Sequence, residues 1–255
     1  VCVQDEDHDD ASFSRIFVFN SNFSRSRLLG GSAMNVIADP DADLIATAYR
    51  EILLPSFPAD ELVELDELFD PNTVVRIAMV GDLVSGVFVY DLFDGGRTAL
   101  CSYVAVRPKM AGNRIGHAIL ARLMREVGPY DLVLGEVEIP GAASPTARQR
   151  VMFFQRFGLS ALDVPYFQPA IRPGRPRISP MLLVLVHACP VAIVDDQLVG
   201  ERLATFVAEY VERAEGPAGL DCDQSDALIT AARGPVDIVS LTDKVHSYER
   251  QLLVA

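Results

Sequence analysis

Residues 102–120, SYVAVRPKMAGNRIGHAIL, pass from an apolar strand pattern through a loop containing Gly112 into an apolar helix pattern. The first backbone N–H groups of a helix have no partner within it, and its N-terminus carries partial positive charge, so such a junction can hold an anion. Gly112 and Gly116 place no Cβ in the way of a bulky group such as a pyrophosphate. Arg107, Lys109 and Arg114 concentrate positive charge in a chain whose formal charge is −13. The spacing matches neither GxxxxGK[ST] nor GxGxxG, so the two common nucleotide loops are absent.

A second set of reactive side chains lies in LVLGEVEI, beginning at Leu132. Glu136 and Glu138 are two apart on a strand and share a face with Leu132 and Leu134, which makes that face at least partly buried. A carboxyl in apolar surroundings holds its proton more tightly than in water and can serve as a base near neutral pH. The other reading is an ion pair with Arg148, Arg150 or another cation of the following helix. Glu138, nearer the C-terminal end of the strand, is the better base candidate. Tyr166, in DVPYFQP, offers a phenol. Strict alternation puts Cys101 and Tyr103 on one strand face, where they read as core. His117 reads as a helix-surface residue. The segment IRPGRPRISP from Ile171 reads as a loop leaning over the cleft or as a plain connection.

Two strands and two helices must hold these groups, and the surrounding pattern supplies them. MNVIAD reads as a strand, followed by a helix capped at Asp39 and Pro40 with Leu44, Ile45, Ala48, Tyr49 and Ile52 on one face. A second helix is expected from Pro58, with Leu62, Leu65 and Phe69 inward and the acids Asp60, Glu61, Glu64, Asp66 and Glu67 toward water. Runs from Val74, Leu83 and Thr98 form an antiparallel meander through turns at Gly81 and Asp82 and at Asp94, Gly95 and Gly96. Then come a helix over 112–127, the LVLGEVEI strand, a helix over 144–157 capped by Ser144, a short LDVPY segment and a strand in MLLVLV. The order predicts a mixed α/β fold around one sheet. Residues 1–33 read as a loosely attached leader, with a strand-like patch at IFVF and Met34 a candidate natural start. Residues 34–190 form the main domain. Residues 191–255 read as a mainly helical C-terminal extension that covers the core or makes a homodimer contact.

Composition narrows the partners. With 22 basic against 35 acidic residues, there is no basic stripe to neutralise phosphates, so nucleic acid is not expected. A cationic amine suits an acidic surface, although solubility accounts for the charge equally well. The cysteines (Cys2, Cys101, Cys189, Cys222) and the histidines (His8, His117, His187, His246) are scattered, so no metal site is expected. The longest apolar run, from Met181, is too short to span a bilayer, and no signal-peptide pattern opens the sequence as given. A cytoplasmic protein is the expectation.

Val106 and Pro108 give V-x-P, and Arg114 and Gly116 fall in the loop and small-apolar helix after it. This resembles the acetyl-CoA-binding motif of the GCN5-related N-acetyltransferases (GNAT family). FFQRFGLSALDV, from Phe153, resembles the family's FYxxxGF segment, and SFPADEL and EVEIP look like segments common in bacterial members. The likeness covers residues 34 to about 188. It departs from the family at Ala111, where Arg or Gln is usual, and at Arg114, which replaces a glycine. It departs also at Phe154, where many members carry the tyrosine that protonates the leaving thiolate.

The resemblance implies a mostly antiparallel central sheet flanked by helices. It implies an acyl-CoA-dependent N-acyltransferase, an N-acetyltransferase first of all, that moves an acyl group directly from acetyl-CoA or another acyl-CoA to a small-molecule amine without a metal. Val104, Ala105 and Val106 would pair their backbone with the pantetheine arm, and Gly112, Asn113, Arg114, Ile115 and Gly116 would cradle the pyrophosphate. Glu138 or Glu136 would act as base, and Tyr166 is the candidate for the missing phenol. Phe154 and the C-terminal segment leave one alternative, a non-catalytic acyl-CoA-binding regulatory module, and because a fold does not fix its reaction, acyl transfer to oxygen is another.

Overall fold

The computed structural model describes residues 17–18, 34–59, 61–110, 115–140, 145–171 and 175–252. Strands β2 (Met34–Ile37), β3 (Thr73–Val80), β4 (Leu83–Phe93) and β5 (Thr98–Val106) pair antiparallel in chain order. The turns between the last three are the expected ones, and Gly81 and Gly95 take φ of 60° and 61° there, a region that other residues enter only with strain. Helix α2 (Ile115–Glu126) then carries the chain to β6 (Leu132–Glu138), which lies parallel to β5. Helix α3 (Pro145–Arg156) leads to β7 (Ser160–Leu162), and β8 (Met181–Ala188) inserts between β6 and β7, antiparallel to both.

The residues after 190 join the same sheet. They form β9 (Ile193–Val194), β10 (Gln197–Leu198), α4 (Arg202–Glu215), α5 (Asp223–Arg233), β11 (Val236–Ser240) and α6 (Leu241–Leu252). β11 pairs with β7, so the sheet order is β2-β3-β4-β5-β6-β8-β7-β11-β10-β9. A further short strand, β1 (Phe17–Val18), lies parallel on β5. The rest of the expected leader lies outside the described residues. The architecture is an open, mixed, mostly antiparallel sheet with helices on both faces.

Strand alternation divides the core. On one face α2, α3 and α6 bring Ile119, Leu123, Val151, Phe154 and Val245 against Phe88, Cys101, Val104, Val133 and Val184. On the other, the helix α1 (Ala42–Ala48) and the turn after it pack Ile45, Ile52 and Leu53 on Ile77, Val87, Val89, Tyr103 and Ala105. Beside them α4 and α5 pack Phe206, Val207, Tyr210 and Leu228 on Leu100, Leu132, Leu134 and Leu183. Among the described residues no helix is long and apolar enough to cross a membrane, and no group of three or more His, Cys, Asp or Glu is placed to hold a metal.

Two expectations about the first helices need correction. The cap of α1 is Asp41, whose Oδ1 accepts from the N–H of Leu44 at 2.9 Å, while Asp39 stays almost fully exposed near Arg76. The residues from Pro58 onward form no α-helix: a capping box at Glu64 starts a 3-10 turn over Leu65–Phe69. The tighter turn changes which residues face inward. Leu68 is buried, Phe69 is 49 % exposed, and Glu61 is buried at 7 % instead of lying in water. Asp60 and the Ser144 cap lie outside the described residues.

Gly86 decides how closely α2 meets the sheet. A Cβ there would run into Cδ1 of Ile119, with the carbonyl oxygen of Ala105 at 3.2 Å on its other side. Ile119 is fully buried and has little room to move. Gly86→Val is expected to destabilise the fold by about 1–3 kcal/mol through overpacking, read as a lower urea midpoint at unchanged slope.

Candidate active site

The site begins at an irregularity in β5. Val89 of β4 pairs with Tyr103 and Tyr90 pairs with Cys101, which leaves Ser102 as an extra residue in the ladder. A bulge of this kind bends its strand and resets the alternation of side chains. Cys101 accordingly packs under α2 while Tyr103 packs under α1, and the two do not share a face as strict alternation predicts. The Ser102 hydroxyl donates to Asp91, which also accepts from Thr73 Oγ1 at 2.5 Å.

Just before the bulge β5 parts from β6. Their last parallel pair is Cys101 with Gly135, yet β5 runs on to Val106 and β6 to Glu138. β4 covers the far edge of β5 as far as the pair of Val106 with Gly86. An opening results, with the backbone of residues 102–106 on one side and residues 136–138 on the other.

Polar side chains gather at this opening. Glu136 is fully buried; the Tyr166 hydroxyl donates to its Oε1 at 2.5 Å and Gln168 Nε2 donates to its Oε2 at 3.0 Å. Glu138 is less enclosed, with 16 % of its side chain accessible, and accepts from Arg150 Nη2 at 2.9 Å. Burial lowers the pKa of Arg150, and the carboxylates of Glu138 and Glu61 oppose that shift. The backbone carbonyl of Glu61 accepts from the Tyr103 hydroxyl at 3.1 Å, and the same phenol oxygen accepts from the N–H of Val63 at 3.1 Å. Glu138 is thus hydrogen-bonded to Arg150, Arg150 lies within the electrostatic reach of Glu61, and the Glu61 backbone is hydrogen-bonded to Tyr103 of β5. The ion-pair reading of Glu138 is realised, with Arg150 as the partner. Arg148 pairs instead with Glu249.

Tyr166 and Gln168 sit in the connection between β7 and β8, and one arginine fastens it. Arg177 donates to Glu215 Oε2 at 2.6 Å, to the carbonyl of Gly219 at 2.7 Å and to Ser225 Oγ at 3.0 Å, with its guanidinium 4.2 Å from the Phe167 ring centroid. The N–H of Ala170 also donates to Glu215, at 2.8 Å. Burial raises the pKa of Glu215, but the hydrogen bonds from Arg177 and Ala170 outweigh it and hold the carboxyl below its ordinary value of 4.5. A depressed folded-state pKa contributes stability that is full above the unfolded value and lost as pH falls through the folded one. Thermal melts from pH 6 down to about pH 3 are expected to show a smaller fall in midpoint for Glu215→Gln than for the wild type.

The residues expected at the anion site are only partly placed. Val104, Ala105 and Val106 are buried in β5, and Ile115 and Gly116 are buried in the first turn of α2. Ala111, Gly112, Asn113 and Arg114 lie outside the described residues. Arg107 is engaged elsewhere, with Nη2 at 2.5 Å from Glu51 and Nε donating to the carbonyl of Val84 at 2.6 Å. Lys109 is exposed, and so is His117, whose ring lies 4.7 Å from that of Phe157. Phe154, on α3, is wholly buried in the core that α2, α3 and α6 share. Burial pushes the Cys101 thiol up to about 12, with Asp91 adding to the shift, so it is no nucleophile at neutral pH.

Sequence reasoning missed Glu61 and Gln168. Glu61 fell among acids assigned to a wet helix face, and only the collapse of that helix to a single tight turn brings it inward. Gln168 carries no sequence signal, since its role depends on the bridge that pairs its backbone with Ile178.

The fold has counterparts among solved structures. A Bacteroides thetaiotaomicron protein assigned to the GNAT family of acetyltransferases superposes with a TM-score of 0.51 at 25 % identity, over 61 % of this chain and 87 % of that one. A Bacillus subtilis acetyltransferase in complex with CoA gives 0.42 at 15 % identity, over 62 % of this chain and 100 % of that one. The ribosomal-protein-S18-alanine N-acetyltransferase of Escherichia coli gives 0.43 at 13 %, over 64 % and 99 %. No family model matches the chain, and no curated protein does.

Proposed function

From the fold of the GCN5-related N-acetyltransferases, which this chain has, we infer that it is an acyl-CoA-dependent acyltransferase, an N-acetyltransferase in the first instance. One observation carries this reading: β5 and β6 part after Cys101 and Gly135, and α2 begins shortly beyond the open edge so formed. An extended chain carrying amides, as the pantetheine arm does, suits the row of backbone groups at residues 104–106, where the short strand β1 pairs with Val104 and Ala105. The N–H groups at the start of α2, which have no partner within the helix, suit a pyrophosphate, with Lys109 near them in sequence. Acyl-CoA supplies the activated acyl group as a thioester.

The chain's own residues handle the acceptor. Between the two helical clusters on the α1 face lies a groove of about 240 Å³ lined in part by Glu67, Asp70, Asp91, Tyr103 and Arg213. Three carboxylates against one guanidinium favour a cationic amine. An amine attacks a thioester only when neutral, so it must first give up a proton. Glu138 is the carboxylate at the opening with accessible surface, and Glu136 is sealed by Tyr166 and Gln168. We assign the base role to Glu138 and a positioning role to Glu136. Glu138 takes one proton from the bound ammonium; as the C–N bond forms and the C–S bond breaks, the proton lost from the attacking nitrogen passes through water to the thiolate, and Glu138 returns its own to solvent. Phe154 has no proton to give, and the Tyr166 proton is directed at Glu136.

Phe154, together with the Glu138–Arg150 pair, is what favours the second reading, an acyl-CoA-binding module without turnover. Calorimetric titration with acetyl-CoA, followed by thiol release across a panel of amines, separates the two. Binding with release supports the enzyme, binding with no release from any amine supports the module, and no binding overturns both.

A further inference from the structure

The open edge of β5 has an occupant within the chain. Phe17 pairs with Val104 and Val18 with Ala105, in parallel register, as strand β1. These pairs lie beyond Cys101, the last β5 residue that β6 covers, and β4 already takes the opposite edge there. A strand edge presents a single row of N–H and C=O groups, which bonds one extended partner at a time. Val104 and Ala105 belong to the same short stretch of backbone that the pantetheine arm needs.

We propose that Phe17–Val18 is a built-in competitor for acyl-CoA, holding the β5 edge in the resting protein and leaving it when the pantetheine arm binds. The inference rests on the acyl-CoA reading above. The connection permits it: residues 19–33 separate β1 from β2, and β2 lies three strands from β5. β1 lies one strand further, on the edge of β5 away from β4. Adjacent strands are about 4.8 Å apart, so the link must cover about 19 Å, well within its reach. Because the competitor is tethered, it acts at an effective concentration set by that link and not by the protein concentration. Apparent affinity for acyl-CoA then falls in proportion to the fraction of molecules whose edge is open.

Proline at both positions removes the N–H groups of β1 and cannot hold the pairing. The full-length double variant Phe17→Pro, Val18→Pro is expected to bind acetyl-CoA about tenfold more tightly than wild type in calorimetry, with an unchanged thermal midpoint as the check on folding. Hydrogen exchange on the unaltered protein gives an independent readout: protection at Phe17 and Val18 should fall when saturating CoA is added. An unchanged or weakened affinity in the variant, or undiminished protection with CoA bound, overturns the competitor. Failure of both proteins to bind acetyl-CoA overturns the acyl-CoA reading itself, which the other outcomes leave standing.

Discussion

Glu138→Gln is expected to lower turnover by about 100- to 1,000-fold, the usual weight of a positioned general base, while acetyl-CoA affinity changes by no more than about twofold. The separation follows from where the residue sits. Glu138 lies at the end of β6, across the opening from the β5 backbone that would hold the pantetheine arm, so removing its charge should leave that pairing intact. Glutamine keeps the length and one oxygen to accept from Arg150, which retains the geometry of the 2.9 Å contact. What is lost is the capacity to take a proton. The pH profile tests that directly: wild-type turnover falls toward acid as Glu138 becomes protonated, and the variant lacks this limb. A variant with an undiminished rate and the same profile removes Glu138 as the base. Glu136→Gln should act differently. Glu136 is fully buried and accepts two hydrogen bonds, so its loss is expected to lower stability by about 1–3 kcal/mol before it touches the rate law.

Much of the framework that holds Glu138 was legible in the sequence. The meander over β3–β5, α2, β6 and α3 all declare themselves through hydrophobic period and glycine-marked turns, because those signals are local. The parting of β5 from β6 is different. It comes just before the extra residue at Ser102, and nothing in SYVAV marks which position will bulge; the slip appears only in the pairing with β4, several residues away in sequence. The same non-locality hid Glu61. Its neighbours are acidic and its segment looks like a solvated helix, but the capping box at Glu64 opens a 3-10 turn, and the chain before it folds inward against Tyr103. The face shared by Glu136 and Glu138 was readable from Leu132 and Leu134. The preference for Glu138 came from its place near the strand end, but the sealing of Glu136 was not readable, because Gln168 and Tyr166 reach it from a connection that Arg177 fastens to α4.

Arg150→Ala is expected to cost about 3–5 kcal/mol, the range for deleting one partner of a buried charge pair. Arg150 is only 3 % accessible and is paired with Glu138, and the carboxylates of Glu138 and Glu61 both favour its charged form against the effect of burial. Taking the guanidinium away removes from both carboxylates the positive charge of Arg150. Neutralising one of them should then recover stability. In the background of Arg150→Ala, Glu138→Gln is expected to be less destabilising than in the wild type, or to stabilise, and the cycle of four proteins in urea gives the coupling. A coupling near zero would mean that Arg150 contributes packing alone. A coupling of about 2 kcal/mol or more would mean that the same ion pair that holds Glu138 in place at the opening also ties α3 to β6. Loss of turnover in Arg150→Ala would then follow from Glu138 losing its position, and the conservative Arg150→Lys, which keeps the charge but not the forked geometry, should restore more of the stability than of the rate.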